Sequence, residues 1–160
     1  ASSAGRLFDA VAAVVGLYPD GTSFEAQAAM ALEAQIDPEL DGAEPGYPVS
    51  LDDLAPMWSA ILADLAVGAP VPVIAARFHE GLAAALATAA RQAREHRPSL
   101  ATAVLSGGVW QNAVLLRRTL RHLRADGWSV LVPRDVPPND GGLSLGQAAI
   151  AAARALAPQE

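Results

Sequence analysis

The chain has 160 residues, of which 52% are hydrophobic and 18% are charged, and it carries a formal net charge of -6. This length and composition predict one folded domain over residues 1–160 and exclude a disordered chain. The acidic balance argues against nucleic acid as a partner, since phosphate binding favours a basic surface. The lack of cysteine excludes disulfides and thiolate metal sites, and no apolar run reaches the roughly 18 residues that cross a bilayer. We therefore expect no membrane partner and a cytoplasmic location.

The first third of the chain has apolar residues at helical spacing. A helix is predicted over residues 3–17, and Gly16 ends it. A second helix is predicted from residue 22 or 23 through residue 36, because Glu25 follows Thr22 at the spacing of a capping box.

The middle of the chain predicts a loop and two further helices. Residues 37–50 predict an exposed loop, because prolines, glycines and carboxylates dominate this segment. Ser50 and Asp53 form a second capping arrangement, for a helix through residue 67. A long helix is predicted over residues 71–96, with a buried stripe at four-residue spacing and cations near its last turns.

The last third of the chain alternates between strand and helix. Strands are predicted over residues 101–105 and 128–132, and helices over residues 112–125 and 145–156. This order implies two parallel strands joined by a right-handed crossover. Two short strands do not form a stable sheet alone, so we expect an incomplete sheet. Missing polypeptide, a partner chain or an overlooked strand near residues 47–50 would complete it, and we favour missing polypeptide.

Two glycine-rich motifs follow these strands. The segment 106–112 (SGGVWQN) leads from the first strand into a helix, and the segment 139–142 (NDGG) follows the second strand. Backbone N–H groups and positive helix ends at such turns favour an anion. Each motif also has a purely structural interpretation, in which the glycines only turn the chain, Asn112 caps a helix and Asp140 forms an Asx turn.

Five blocks of the sequence carry a resemblance to a known family. They are residues 2–13 (SSAGRLFDAVAA), 25–29 (EAQAA), 78–79 (FH), 105–112 (LSGGVWQN) and 136–148 (VPPNDGGLSLGQA). In this order and spacing they resemble the C-terminal part of HypF, the family of carbamoyltransferases that mature nickel-iron hydrogenases. The resemblance covers nearly the whole chain and is more specific than any one glycine pair.

The resemblance implies an α/β fold, namely the helix-rich second lobe of an actin-like ATPase (ASKHA) architecture, similar to the TsaD family. It also implies that carbamoyl phosphate and ATP yield carbamoyl adenylate in another domain of the same polypeptide. The domain that resembles this chain then passes the carbamoyl group to the C-terminal cysteine of HypE, for the cyanide ligands of the hydrogenase. The implied cofactors are ATP or carbamoyl adenylate and a divalent iron or zinc ion. The implied partners are HypE and the missing N-terminal lobe and domains.

By position, the resemblance implies roles for six residues and assigns no catalytic side chain. The implied nucleotide contacts are Asp9, Glu25, Gly107, Gly108 and Asn112. Among them Asp9 corresponds to a carboxylate that binds ribose hydroxyls. Asp140 corresponds to the metal-ligand aspartate of the family, and a hard carboxylate suits that role.

Two departures from the family pattern bear on activity. The family often has glycine where Ala26 stands, and a methyl group there would crowd the nucleotide or oppose a positive φ. The family's metal-binding histidine pair lies upstream of this sequence, and His79, His96 and His122 are interpreted as structural or solvated. Because the sequence also starts without Met, we expect a part of a larger enzyme that is inactive alone.

Two other interpretations remain open on the sequence. One is a TsaD-like tRNA threonylcarbamoyl transferase lobe, which shares the glycine motif but has a different sequence where this chain has residues 137–142. The other is a non-catalytic remnant or interaction module, which Ala26 favours.

Overall fold

The structure, a computed structural model, describes residues 3–37 and 44–156. Within these ranges it has six α-helices, two β-strands and two short 3-10 turns. The elements in chain order are α1 (Ala4–Val14), α2 (Gln27–Ala34), α3 (Ala55–Ala66), α4 (Val71–His96), β1 (Thr102–Val104), the 3-10 turn Gly108–Gln111, α5 (Ala113–Ala125), β2 (Ser129–Leu131), the 3-10 turn Asp140–Gly142 and α6 (Leu143–Leu156).

Helix α1 has the predicted boundaries to within a few residues. Ser3 caps its N-terminus, because the Ser3 side chain accepts a hydrogen bond from the backbone N–H of Arg6. At the other end Gly16 has a φ of 87°, and the N–H of Leu17 donates to Ala12 O at 2.8 Å. This is the Schellman arrangement that a glycine after a helix favours.

Helix α2 begins later than predicted, and the capping-box interpretation of Glu25 is wrong. The helix starts at Gln27, so Glu25 lies in the turn before it. The backbone N–H of Ser23 donates instead to the Gln27 side chain, at 2.6 Å. The chain turns sharply at Ala26, which has a φ of 62° and therefore lies in the left-handed region.

The segment before α3 also differs from its prediction. The N-cap of α3 is Leu54, which offers no side-chain hydrogen bond, so the predicted capping arrangement of Ser50 and Asp53 is wrong. Asp53 forms an Asx turn just before the helix, because its Oδ1 accepts from the N–H of Ala55 at 2.9 Å. Residues 38–43 of the predicted loop 37–50 lie outside the described residues, and the remainder is not fully exposed. Tyr47 is buried, and its hydroxyl donates to Asp64 Oδ2 at 2.5 Å. A single aromatic side chain thus anchors a segment whose prolines and carboxylates predicted exposure.

Helix α4 has the predicted bounds and is the centre of the main core. Ile74, Phe78 and Leu82 are buried at the predicted four-residue spacing.

Helix α4 packs against α5, and one prediction for α5 is wrong. Arg118, assigned to a solvated basic face with Arg117, Arg121 and Arg124, is buried. Its guanidinium donates to Ala76 O and lies 3.7 Å from the Glu80 carboxylate, so it is compensated by polar groups of α4.

The sheet consists of β1 and β2, which pair in parallel as predicted. Ala103 and Val130 pack toward a second apolar cluster that contains Leu105, Leu123 and Trp128. Val104 and Leu131, on the opposite face of the sheet, are exposed. No strand is present near residues 47–50 in the described part of the chain.

Helix α6 begins at Leu143, close to its predicted start, and all of its residues are exposed. Its apolar side chains, among them Leu143, Leu145 and Ile150, do not enter either apolar cluster. Within residues 3–37 and 44–156, no helix combines the length and the apolar character that crossing a membrane requires.

The contact between α4 and the segment 44–50 generates a stability prediction. The N–H of Tyr47 donates to Arg77 O, and a Cβ atom on Gly46 would lie 2.6 Å from the backbone N of Gly81. A Cβ on Gly81 would likewise overlap the backbone oxygen of Tyr47. We expect Gly81→Ala to lower the free energy of unfolding by about 2 kcal/mol, because the crowded backbones must separate. Urea unfolding followed by circular dichroism measures this change.

The matched control for this prediction is Gly146→Ala. Gly146 is also helical, but no atom would lie within 4 Å of its added Cβ. Alanine should therefore stabilise the helix by up to about 1 kcal/mol. Equal effects of the two substitutions would contradict the packing described for Gly81.

Candidate nucleotide cleft

The segment 106–112 forms the turn between β1 and α5. Gly107 has a φ of 110°, a conformation that side chains other than glycine rarely adopt. Its backbone N–H donates to Pro138 O at 2.7 Å. This hydrogen bond joins the two glycine-rich motifs, so the structure brings them to the same edge of the sheet, as the strand order predicts.

The second motif places an aspartate at the start of a short 3-10 turn. Asn139 forms the Asx interaction, because its Oδ1 accepts from the N–H of Gly141 at 3.1 Å. The structural interpretation of Asp140 as the Asx-turn residue is therefore wrong. Asp140 is exposed, and it lines the cleft described next.

A cleft of about 580 Å³ lies between the two motifs and the first two helices. Four parts of the chain line it: the first turns of α1, the start of α2, the 3-10 turn 108–111, and the second motif. The lining residues are Ser3, Gly5, Arg6, Asp9, Glu25, Ala26, Ala29, Gly108, Val109, Gln111, Asn139 and Asp140. The N-terminal ends of α1 and α2, which carry a partial positive charge, thus lie on the same concave surface as three carboxylates and one arginine.

A smaller cavity of about 350 Å³ adjoins this cleft. It shares Gly5, Ala26, Ala29 and the turn 108–111 with the cleft and extends toward the core. Its further lining residues are Phe8, Met30, Glu33 and Asn112. The two cavities together form one continuous depression with a mostly apolar inner part and a polar outer part.

The structure brings together five of the six residues assigned from the resemblance. Asp9, Glu25, Gly108 and Asp140 line the cleft, and Asn112 lines the adjoining cavity. Gly107 lines neither, and its N–H is occupied by Pro138, so it has no amide proton to offer an anion. Its contribution is the backbone conformation that presents Gly108.

A chain of hydrogen bonds fixes the side chain of Asn112. Its Oδ1 accepts from the N–H of Leu115 at 2.7 Å, which makes Asn112 the N-cap of α5. Its Nδ2 lies 3.0 Å from His79 Nε2, and His79 Nδ1 lies 2.8 Å from Ala75 O. Because a carbonyl only accepts, the proton is on Nδ1 and His79 Nε2 accepts from Asn112.

His79 is structural, as the sequence predicts. It is fully buried, and its ring contacts the rings of Phe8 and Phe78 edge to face. Burial lowers the pKa of His79 to about 4, so the ring is neutral near pH 7. The imidazole therefore acts as a neutral support that holds Asn112 beside the cavity.

Sequence reasoning missed several residues that line the depression. Arg6 is the cation of the cleft, and Gln111 and Glu33 are further polar groups. Arg6 lies within a block that carried the resemblance, three residues before Asp9. That spacing on a helix places both on one face and was the signal that could have found it.

The described residues do not form a metal site by themselves. Asp140 is one hard oxygen ligand, but residues 3–37 and 44–156 contain no group of three or more histidine, cysteine, aspartate or glutamate residues that could hold a metal ion. Asp140 could therefore supply one ligand of a metal site, but the described residues do not supply a complete set of ligands.

Comparison with known proteins defines the class of this chain. Residues 1–147 match the family model described as "Carbamoyltransferase, Kae1-like Domain, second subdomain". The chain therefore belongs to the HypF carbamoyltransferase family and corresponds to that subdomain.

Individual relatives agree with this assignment. The carbamoyltransferase HypF of Synechocystis is 40% identical over 91% of the chain, and that of Rhodobacter capsulatus is 41% identical over 96%. The chain covers 19% and 20% of these two proteins, so it spans about a fifth of the length of these curated relatives.

Solved structures show the same likeness. A crystal structure of full-length HypF in the phosphate- and nucleotide-bound form aligns with 97% of this chain, at a TM-score of 0.82 and 36% identity, and the chain covers 21% of it. The HypF structure from T. kodakarensis aligns with 93% of the chain, at a TM-score of 0.74 and 27% identity, and the chain covers 19% of it.

The left-handed conformation of Ala26 generates a prediction. Ala26 has a φ of 62°, at a position where the family resemblance implies glycine. An alanine in this region is strained by roughly 1–2 kcal/mol. We expect Ala26→Gly to raise the free energy of unfolding by about 1 kcal/mol, since removal of strain exceeds the entropic cost of glycine.

Ala31→Gly, inside the helix that follows Ala26, is the control. Ala31 lies inside α2, where glycine costs about 1 kcal/mol. Chemical denaturation should therefore show changes of opposite sign in the free energy of unfolding of the two variants. Destabilisation by both substitutions would contradict the strain at Ala26.

The neutral state of His79 generates a second prediction. Its pKa of about 4 lies below its usual value of 6.5, so its contribution to stability is complete above pH 6.5 and falls as the pH drops toward 4. At pH 5 the loss reaches about 2 kcal/mol. The ring ¹⁵N shifts in a long-range NMR spectrum should keep the neutral pattern, with the proton on Nδ1, at pH 5.5. A protonated ring at that pH would show that the network with Asn112 and Ala75 is wrong.

Proposed function

We propose that this chain forms the nucleotide-binding half of the carbamoyl transfer site in a HypF-type enzyme. The observation that carries the proposal is the convergence of the α1 and α2 starts, the turn 108–111 and Asp140 on one cleft. The proposed architecture is the second lobe of an actin-like (ASKHA) fold, with the facing lobe supplied by further polypeptide. A relative that aligns with this chain at a TM-score of 0.82 has been solved in a phosphate- and nucleotide-bound form, which is consistent with a nucleotide-binding role for the family.

Each lining group has a physical role in this proposal. Gly108 lets the backbone approach the nucleotide closely. Asp9 and Glu25 accept hydrogen bonds from ribose hydroxyls, which suits charged acceptors. Arg6 and the positive ends of α1 and α2 attract the phosphates. With three carboxylates against one arginine in the cleft, a polyphosphate would enter together with its own Mg²⁺ to balance the charge.

The proposed reaction is the transfer that the family resemblance implies. The sulfur of the C-terminal cysteine of HypE forms a bond to the carbamoyl carbon of carbamoyl adenylate. The bond between that carbon and the phosphate oxygen breaks, AMP leaves, and the thiol proton passes to solvent or a base. The product is a thiocarboxamide on HypE, from which the cyanide ligands of the hydrogenase derive.

Asp140 is proposed as one ligand of a divalent iron or zinc ion that the two lobes share. The remaining ligands would come from the facing lobe, where the family has a histidine pair. Asp140 itself is held at the mouth of the cleft by the 3-10 turn and by the Asn139 interaction with Gly141.

A steric substitution in the cleft tests the proposal. The test protein is a chimera in which this chain replaces the matching segment of the Synechocystis carbamoyltransferase HypF. An added Cβ on Gly108 would meet only Asn139 Cβ, at 3.7 Å, so a side chain there extends into the cleft with little cost to folding. We expect Gly108→Val to lower ATP-dependent carbamoylation of HypE by at least about tenfold, because it displaces the nucleotide.

Two controls make this result specific. Gly146→Val, on exposed α6, should leave the transfer rate within about twofold of the parent. Carbamoyl adenylate formation, which the other domains perform, should persist in both variants. Full transfer activity in Gly108→Val would show that the cleft takes no part in the reaction. The interpretation as a non-catalytic remnant would then gain support.

A further inference from the structure

The inner cavity has the shape and polarity of a pocket for a heterocyclic base. It has a volume of about 350 Å³ and is continuous with the cleft. Phe8, Ala29, Met30 and Val109 supply apolar walls, which suit the faces of an aromatic ring. The polar outer cleft, with Asp9 and Glu25, then lies where a ribose attached to that base would extend.

One carboxylate is present in this apolar cavity, and it belongs to Glu33. Glu33 lies four residues after Ala29 on α2, so both are on the face of the helix that lines the cavity. The N–H of Val114 donates to Glu33 Oε1 at 3.1 Å. This hydrogen bond to the start of α5 fixes the carboxylate and leaves its other oxygen able to accept a further hydrogen bond.

We propose that Glu33 determines the base specificity of this site, by accepting a hydrogen bond from the exocyclic 6-amino group of adenine. The inference rests on the proposed nucleotide function of the cleft and adds a residue that selects the base. The simpler role of Glu33, a cap on the first turn of α5, uses only Oε1. Base selection uses the second oxygen, so the two roles are compatible and separable by experiment.

The selection follows from the acceptor-only character of a carboxylate. Adenine presents an amino group at position 6, whereas hypoxanthine and guanine present a carbonyl oxygen there. A 6-oxo base would place two acceptors against each other in a largely apolar cavity and leave both unpaired. Such a mismatch costs on the order of 1–3 kcal/mol, or about one to two powers of ten in affinity.

Glu33→Gln tests this inference with a nearly isosteric side chain. If the amide oxygen keeps the hydrogen bond from Val114, the amide nitrogen faces the base and becomes a donor. That donor opposes a 6-amino group and pairs with a 6-oxo group. ATP and ITP are the probes, because their bases differ chiefly at position 6.

The measurement is isothermal titration of ATP and ITP into the chimera and its variants. We assign to this cleft the part of the nucleotide binding that is lost in Gly108→Val. We expect the parent chimera to prefer ATP over ITP there by at least about tenfold. Glu33→Gln should abolish or invert this preference, and Glu95→Gln, an exposed change on α4 outside the cavity, should leave it unchanged.

The outcomes separate this inference from the proposed function. Identical ATP binding in the parent chimera and in Gly108→Val would overturn the nucleotide function of the cleft and this inference with it. Cleft binding of ATP with the same preference over ITP in the parent and in Glu33→Gln would overturn the role of Glu33 alone. A preference that collapses or inverts only in Glu33→Gln would establish it.

Discussion

The hydrogen bond from the N–H of Gly107 to Pro138 O, at 2.7 Å, is the contact on which the candidate site depends. It joins the turn after β1 to the segment that follows β2, and so brings Gly108 and Asp140 to one cleft. The bond requires the φ of 110° at Gly107, which only glycine adopts readily. The first glycine of the motif is thus a structural requirement, whereas the second lines the cleft.

A second set of contacts, centred on His79, fixes the elements that line the cleft. The buried, neutral ring of His79 joins α4 to the cap of α5 through Asn112. Phe8 packs on that ring, so α1 is fixed against the same support. These contacts are short-range and directional, and they fix the position of the turn 108–111. The proposed nucleotide binding would benefit from such a preorganised turn.

Much of this arrangement was predictable from sequence because it rests on local signals. The bounds of α4, the parallel pairing of β1 with β2 and the capping role of Asn112 follow from periodicity, strand order and residue type. The late start of α2, the burial of Tyr47 and the burial of Arg118 did not follow. The burial of Tyr47 and of Arg118 depends on distant partners, namely Asp64 and the carbonyl of Ala76, and no local pattern encodes such contacts. The late start of α2 depends instead on the left-handed turn at Ala26, a conformation that alanine rarely adopts.

The candidate site likewise contains residues that the sequence predicted and residues that it did not. The six assigned residues came from family blocks, and Arg6 could have been added from its helical spacing to Asp9. The position of Glu33 on the inner cavity, in contrast, depends on how α2 packs beside the turn 108–111. The central claim is that this cleft holds the nucleotide. Photolabelling of the chimera with 8-azido-ATP, followed by peptide mapping, tests it most directly. The account predicts ATP-protected labelling in residues 26–33 or 108–112, and protected labelling confined to other domains would contradict it.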